Sequence, residues 1–452
     1  MSTSEGHEVT DRLVHFAMNL SEATLPQPAQ KECVRAFVNA VGCIVGGSRH
    51  EMVHIAREAL LAVAGSGGAT LLGSGTKVDV LTAALLNGLA GAAYSFDDTY
   101  SEAMLHPSVP LVSALLAASE RKPASGAGFP AAFAAGLETA CRLTKALTVE
   151  PAEAEMAWSQ TGIVCGIAAA LATGKLLALN REQLSSAIGL AASEAAGARA
   201  THGSMAASLI YGHAAQTGLR ATLLAAKGFT SSSRAIEHRF GFAALHSRRS
   251  NLSALTDDLG RHFELMSNTY KPYPCGLVIH PALDGILRLR RDVGFAHQDV
   301  AGIELRVARQ AIVFGANPQP KDDLQAKVSL HHWVAVAAMT GRAGLAEGRP
   351  EMVSDPEVKR LRSLVSVTED PHCASDAATV AVTLRNNARH EVRVDHCIGS
   401  LQRPMTDDEL SEKFLGQVTP VVGVDCAERL LRTCWAMASL QDVTGLTQLT
   451  GE

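Results

Sequence analysis

Aromatic side chains are scarce, at 4% of the 452 residues. The core must therefore be built largely from small side chains, which let helices approach closely and point to a helix-rich fold. An excess of one charge sign is also missing. The net charge is −5, with no basic footprint of the kind that nucleic acid or anionic lipid requires. A small anionic substrate remains compatible, because a site needs only a local positive field. The nine cysteines are odd in number and scattered, with no CxxC pair and no zinc-type spacing. Reduced thiols in a cytoplasmic protein follow. The first eight residues lack a basic segment leading into an apolar one, so no secretory signal is expected. The apolar run from Gly162 to Leu179 meets Lys175 and reads as a buried core helix rather than a membrane span. Fixed-period repeats and low-complexity linkers are absent as well.

What is present is a globular composition, 47% hydrophobic and 19% charged, in a chain long enough for two or three domains. Residues 9–63 read as helices: Leu13, Phe16, Ala17 and Leu20 share one face, as do Ala36, Phe37, Ala40, Val41 and Ile44 before Gly46-Gly47. Helical patterns continue over 79–94, 109–145, 161–178, 181–195 (with Asn180 as N-cap) and 206–227. The texture changes at Tyr270-Lys-Pro-Tyr-Pro-Cys-Gly276, where two prolines forbid regular helix. A helix over 281–291 and another over 329–340 then alternate with strand patterns at 303–307 and 379–384. Asn386-Asn387 supplies a hairpin turn before the alternation resumes at Val392 and Val394. Thr406 and Glu409 form a capping box that returns the tail to helix. The expected fold is mainly α: a large all-α-helical domain from residues 1–268 and 402–452, with an inserted smaller α+β lid domain at 269–401.

Three groups carry chemistry. The segment Ser95-Phe-Asp-Asp-Thr-Tyr-Ser-Glu-Ala-Met-Leu-His-Pro107 ends a long apolar run with two carboxylates, a hydroxyl and a histidine. Asp97 and Asp98 near His106 suit general acid–base work, since burial and like charge spread their pKa values. An Asp pair that merely caps the following turn is the structural alternative. Asp97-Asp98-x-x-x-Glu102 also has the ligand types for Mg²⁺ of a prenyl-transfer enzyme, but no second Asp-rich motif accompanies it. Lys271, in its rigid Pro-Tyr-Pro loop, could clamp a carboxylate and stabilise an enolate-like charge; His280 follows nearby. His331-His332 lies on a helix, where adjacent residues do not share a face, so at most one points into a cleft. Arg142 and Arg239 are weaker anion partners.

In order and spacing, the chain resembles the MmgE/PrpD family. The matching motifs are Asn87-Gly88, Phe96-Asp-Asp-Thr99, His106-Pro-Ser108, Gly136-x-Glu138-x-x-x-Arg142, Gly189-Leu-Ala-Ala-Ser193 and Ala214-Ala-Gln-x-Gly218. Lys227-Gly-Phe-Thr230, Lys271-Pro-Tyr-Pro-Cys-Gly276 with His280-Pro281, and the Gly399 to Phe414 segment complete the set. The resemblance implies a homodimer without metal or organic cofactor, acting on a small carboxylate through an enolate-like species. By motif it places Thr99, His106 and Lys271 at active-site positions. The expected roles are His106, assisted by Asp97 or Asp98, as acid/base and His332 as a second proton donor, with Thr99, Lys271, Tyr273 and Ser159 facing the substrate. The chain departs from the family pattern at Ser95 (usually Asp), Ser159 and Ile210 (usually His), Ala207 (usually Lys) and His332 (often Tyr), with His202 and His213 as local substitutes. The expectation is a lyase, a dehydratase before a decarboxylase, on a small di- or tricarboxylate. An isomerase or epimerase, or a non-enzymatic paralogue, is the alternative.

Overall fold

The computed structural model describes residues 9–122, 128–149 and 157–450. Residues 1–8, where a signal was sought, and 123–127, inside the stretch read as helix, lie outside the described residues. So do 150–156 and 451–452.

Two apolar clusters organise the chain. The first joins helices Val9–Asn19, Gln27–Gly47, Val80–Gly91, Ser108–Arg121, Gly128–Leu147, Gln160–Leu176, Arg181–Ser193 and Met205–Ala226. Helices Asp407–Val422 and Val424–Trp435 rejoin it from the tail, burying Leu410, Phe414 and Leu430 against helix Gln27–Gly47. The scarcity of bulky rings has its counterpart here in close helix crossings. A Cβ on Gly212 would stand 2.1 Å from the Leu85 carbonyl oxygen, so helix Met205–Ala226 crosses helix Val80–Gly91 at a spacing only glycine permits. No described helix is long and apolar enough to cross a membrane.

The second cluster runs from Cys275 to Val392. Its four-stranded sheet has the order Val365–Glu369, Val300–Val307, Ala378–Leu384, Arg389–Val394; the first pair is parallel and the others antiparallel. Helices His280–Val293, Leu330–Thr340 and Pro356–Ser363 supply its other apolar faces. The hairpin turns where Asn387 takes φ 65°, a left-handed conformation that asparagine tolerates better than most residues. Asn180 and Thr406 both close capping boxes, and Ser329 caps the helix that carries His332.

One local expectation fails. The helix ahead of the polar cluster stops at Gly91, earlier than the apolar pattern suggests, and Asp98–Tyr100 forms a short strand. Its partner is Asn268–Tyr270, far away in sequence, so no local periodicity could announce the pairing.

Candidate active site

That strand pair builds the site. Antiparallel register sets Asp98 against Tyr270 and Thr99 against Thr269. The next step outward along each strand brings Asp97 to Lys271, with Nζ 2.8 Å from Oδ1 and both side chains 1% exposed. Burial alone would push the Asp97 carboxyl up, but the Lys271 ammonium and His106 pull it below the ordinary carboxylate range. Its other oxygen, Oδ2, is buried and stands 3.5 Å from His106 Nδ1.

His106 is returned to this strand by a tight turn in which Tyr100 N–H donates to the Leu105 carbonyl at 2.8 Å. Its own N–H donates to Thr161 Oγ1 at 3.0 Å. The imidazole Nδ1 lies 2.8 Å from the Asp98 carbonyl oxygen and 3.1 Å from Thr99 Oγ1. A carbonyl oxygen can only accept, so Nδ1 carries the proton and the neutral ring keeps its lone pair on Nε2. Burial and the nearby Lys271 charge lower His106 to about 4, against the upward pull of Asp97. The ring is thus a neutral base at ordinary pH, oriented by backbone.

His106, Thr99 and Lys271 open onto a cavity of about 160 Å³. Arg199, Tyr211 and Lys327 are among its other polar lining residues, and none of the described residues that line it is Asp or Glu. Lys327 comes from the second apolar unit, where burial lowers it to about 8 despite Asp323 and Asp322. Tyr211 stacks on His106 with ring centroids 6.0 Å apart.

Other expected residues are placed differently. Asp98 does not line the cavity: it accepts from the Ser108 hydroxyl, from Ser108 N–H at 3.3 Å and from Asn268 Nδ2 at 2.8 Å. It therefore joins the start of helix Ser108–Arg121 to strand Asn268–Tyr270, and its burial, with Asp97 alongside, raises it to about 6. The Mg²⁺ reading fails on the same contacts, since Asp97, Asp98 and Glu102 each turn to different partners. Among the described residues no group of three or more His, Cys, Asp or Glu is arranged to hold a metal.

His332 is fully buried away from the cavity, with Nε2 3.3 Å from the Glu347 carbonyl and its ring against Trp333. Tyr273 also misses the cavity wall and packs edge-on to the buried His280. Ser159 lines the wall, but its hydroxyl caps helix Gln160–Leu176 at Gly162 N–H. His202 and Ala207 line it too, whereas His213 and Ile210 do not. Arg142 is buried among Glu138 and the carbonyls of Ala254, Asp257 and His262, and Arg239 lies over Phe240. Arg199, Tyr211 and Lys327 escaped the sequence reading because only tertiary packing gathers them.

The MmgE/PrpD N-terminal domain matches residues 11–254 and the MmgE/PrpD C-terminal domain residues 273–437. The human protein named cis-aconitate decarboxylase is 24% identical over 432 residues, covering 92% of this chain and 89% of its own. The Aspergillus terreus protein of the same name is 24% identical over 474 residues, covering 98% and 95%. The mouse protein, also so named, is 24% identical over 384 residues, covering 81% and 78%.

Proposed function

Because the chain belongs to the MmgE/PrpD family, we propose that it is a lyase that dehydrates a small β-hydroxy di- or tricarboxylate. The single observation that carries this reading is the orientation of His106. Its Nδ1–H is fixed on the Asp98 carbonyl, and its neutral Nε2 shares a cavity with the Lys271 ammonium.

In this reading Nε2 takes the proton from the carbon next to a substrate carboxylate, and the C–H electron pair moves into that carboxylate. Lys271 and the Thr99 hydroxyl stabilise the resulting enolate-like charge. When the pair returns to form the carbon–carbon double bond, the β-hydroxyl leaves. His106, now an imidazolium whose surroundings make it a strong acid, gives its proton to that hydroxyl, and water departs. One residue serves as base and then acid, so proton and hydroxyl leave from the same face. No second proton carrier is needed at Ser159 or Ala207.

Decarboxylation is the second reading, favoured by the printed names of the relatives. It needs an acid to quench a carbanion, and the resting His106 is in the wrong form for that. The test is to incubate the protein with 2-methylcitrate and with cis-aconitate, following alkene formation, CO₂ release and deuterium uptake from D₂O. An alkene without CO₂ supports the dehydratase, and CO₂ supports the decarboxylase. Deuterium uptake alone indicates an isomerase, and no change in either acid contradicts the lyase reading.

A further inference from the structure

The cavity holds more positive charge than one carboxylate accounts for. Lys271 is already paired with Asp97. Arg199 and Lys327 line the same cavity, and among the described residues neither forms an ion pair. Half-buried cations with no acid within ion-pair distance are poorly compensated, and a cavity that keeps two of them suits an anion that arrives from outside.

Each cation also has spare donors. Among the described residues, Arg199 Nε is buried without a partner, and Nη2 donates to the Trp158 carbonyl at 3.4 Å. Its guanidinium is held 5.4 Å from the centre of the Phe314 ring, which fixes the plane of the donor fork. Lys327 Nζ donates to the Ala93 carbonyl and retains two further N–H groups. Of the acids acting on Lys327, Asp323 has its Oδ2 3.4 Å from His50 Nε2. Val278, Phe314 and Leu324 line the same cavity, with His202, Ser204 and Ser208 among its polar residues.

We infer that Arg199 and Lys327 bind a second carboxylate of the substrate, besides the one at Lys271 and Thr99. The substrate class is thereby one that carries at least two carboxylates. This rests on the proposed function, whose reaction requires only the first carboxylate. Arg199 supplies a planar, bidentate grip and Lys327 a point charge from the second unit, so the second carboxylate ties the two apolar units together.

Calorimetric titration of the full chain tests this with two probes of similar carbon skeleton, methylsuccinate (two carboxylates) and butyrate (one). The wild type is expected to bind methylsuccinate at least about tenfold more tightly, the scale of one charge-assisted contact. Arg199→Gln and Lys327→Gln should each lose about tenfold for methylsuccinate while leaving butyrate unchanged. Lys271→Gln should weaken both probes. Arg199→Lys and Lys327→Arg, which keep the charge and guard against a folding defect, should retain part of the preference. The inference is overturned if the Gln variants weaken both probes equally or neither, or if the wild type shows no preference. Wild-type turnover of a β-hydroxydicarboxylate alongside such a result would overturn this inference alone. A wild type that binds neither probe and turns over no candidate acid would overturn the proposed function with it.

Discussion

Lys271 Nζ donates to Asp97 Oδ1 across the end of a strand pair whose halves lie far apart in sequence, and both partners are buried. Removing one partner strands the other charge in a poorly solvated place. Asp97→Asn is expected to destabilise the protein by about 3–5 kcal/mol in denaturant titration. The double variant Asp97→Leu with Lys271→Met should recover most of that stability while remaining inactive, because the pair is needed for charge stabilisation rather than for folding.

A base that must be unprotonated works above its own pKa. His106 is lowered to about 4, so the acid limb of kcat/KM should lie near that value and not in the ordinary histidine range. On the alkaline side Lys327 loses its charge near pH 8, so KM for a dicarboxylate should rise there. Lys327→Arg, which stays charged, should move that rise to higher pH. Steady-state kinetics across pH reads both limbs.

Acid stability follows from buried neutral imidazoles. His106 and His332 are lowered by burial to about 4 and His280 to about 3. In the unfolded chain each would titrate near 6.5, so between that value and about 4 the unfolded state binds more protons. Stability is therefore full above pH 6.5 and falls as the pH drops toward 4. For the fully buried His332 the loss is on the order of 3 kcal/mol. His332→Phe should flatten the acid limb of a melting-temperature profile and leave the kinetic acid limb unmoved, since His332 lies outside the cavity.

The contact of Gly212 with Leu85 gives a prediction about geometry. A Cβ there meets backbone, which cannot yield, so Gly212→Ala should cost about 1–3 kcal/mol. It should also lower kcat, because the same helix carries Ala207 and Tyr211 into the cavity wall. Thermal melting and kinetics on one preparation separate the two effects.

Local signals were legible and distant ones were not. Caps at Asn180 and Thr406 lie within a few residues of the backbone they satisfy, and hairpin alternation around Asn387 is a property of adjacent residues. His106, Thr99 and Lys271 could be singled out as motif residues, and the structure brings them to one cavity. The capping alternative for the Asp pair anticipated the contacts of Asp98 with Ser108, but its bond to Asn268 and the burial of His332 against the Glu347 carbonyl depend on partners elsewhere in the chain. Arg199 and Lys327 were invisible for the same reason: an unpaired cation looks like a surface cation until the fold encloses it.

The central claim is that His106 Nε2 removes a proton from the carbon beside a carboxylate. Nuclear magnetic resonance of 2-methylcitrate incubated in D₂O with wild type and His106→Gln tests it most directly. The prediction is alkene formation by the wild type, slowed by about 10²–10⁴-fold in a variant that remains folded. Alkene formation at an unchanged rate in folded His106→Gln would contradict the account.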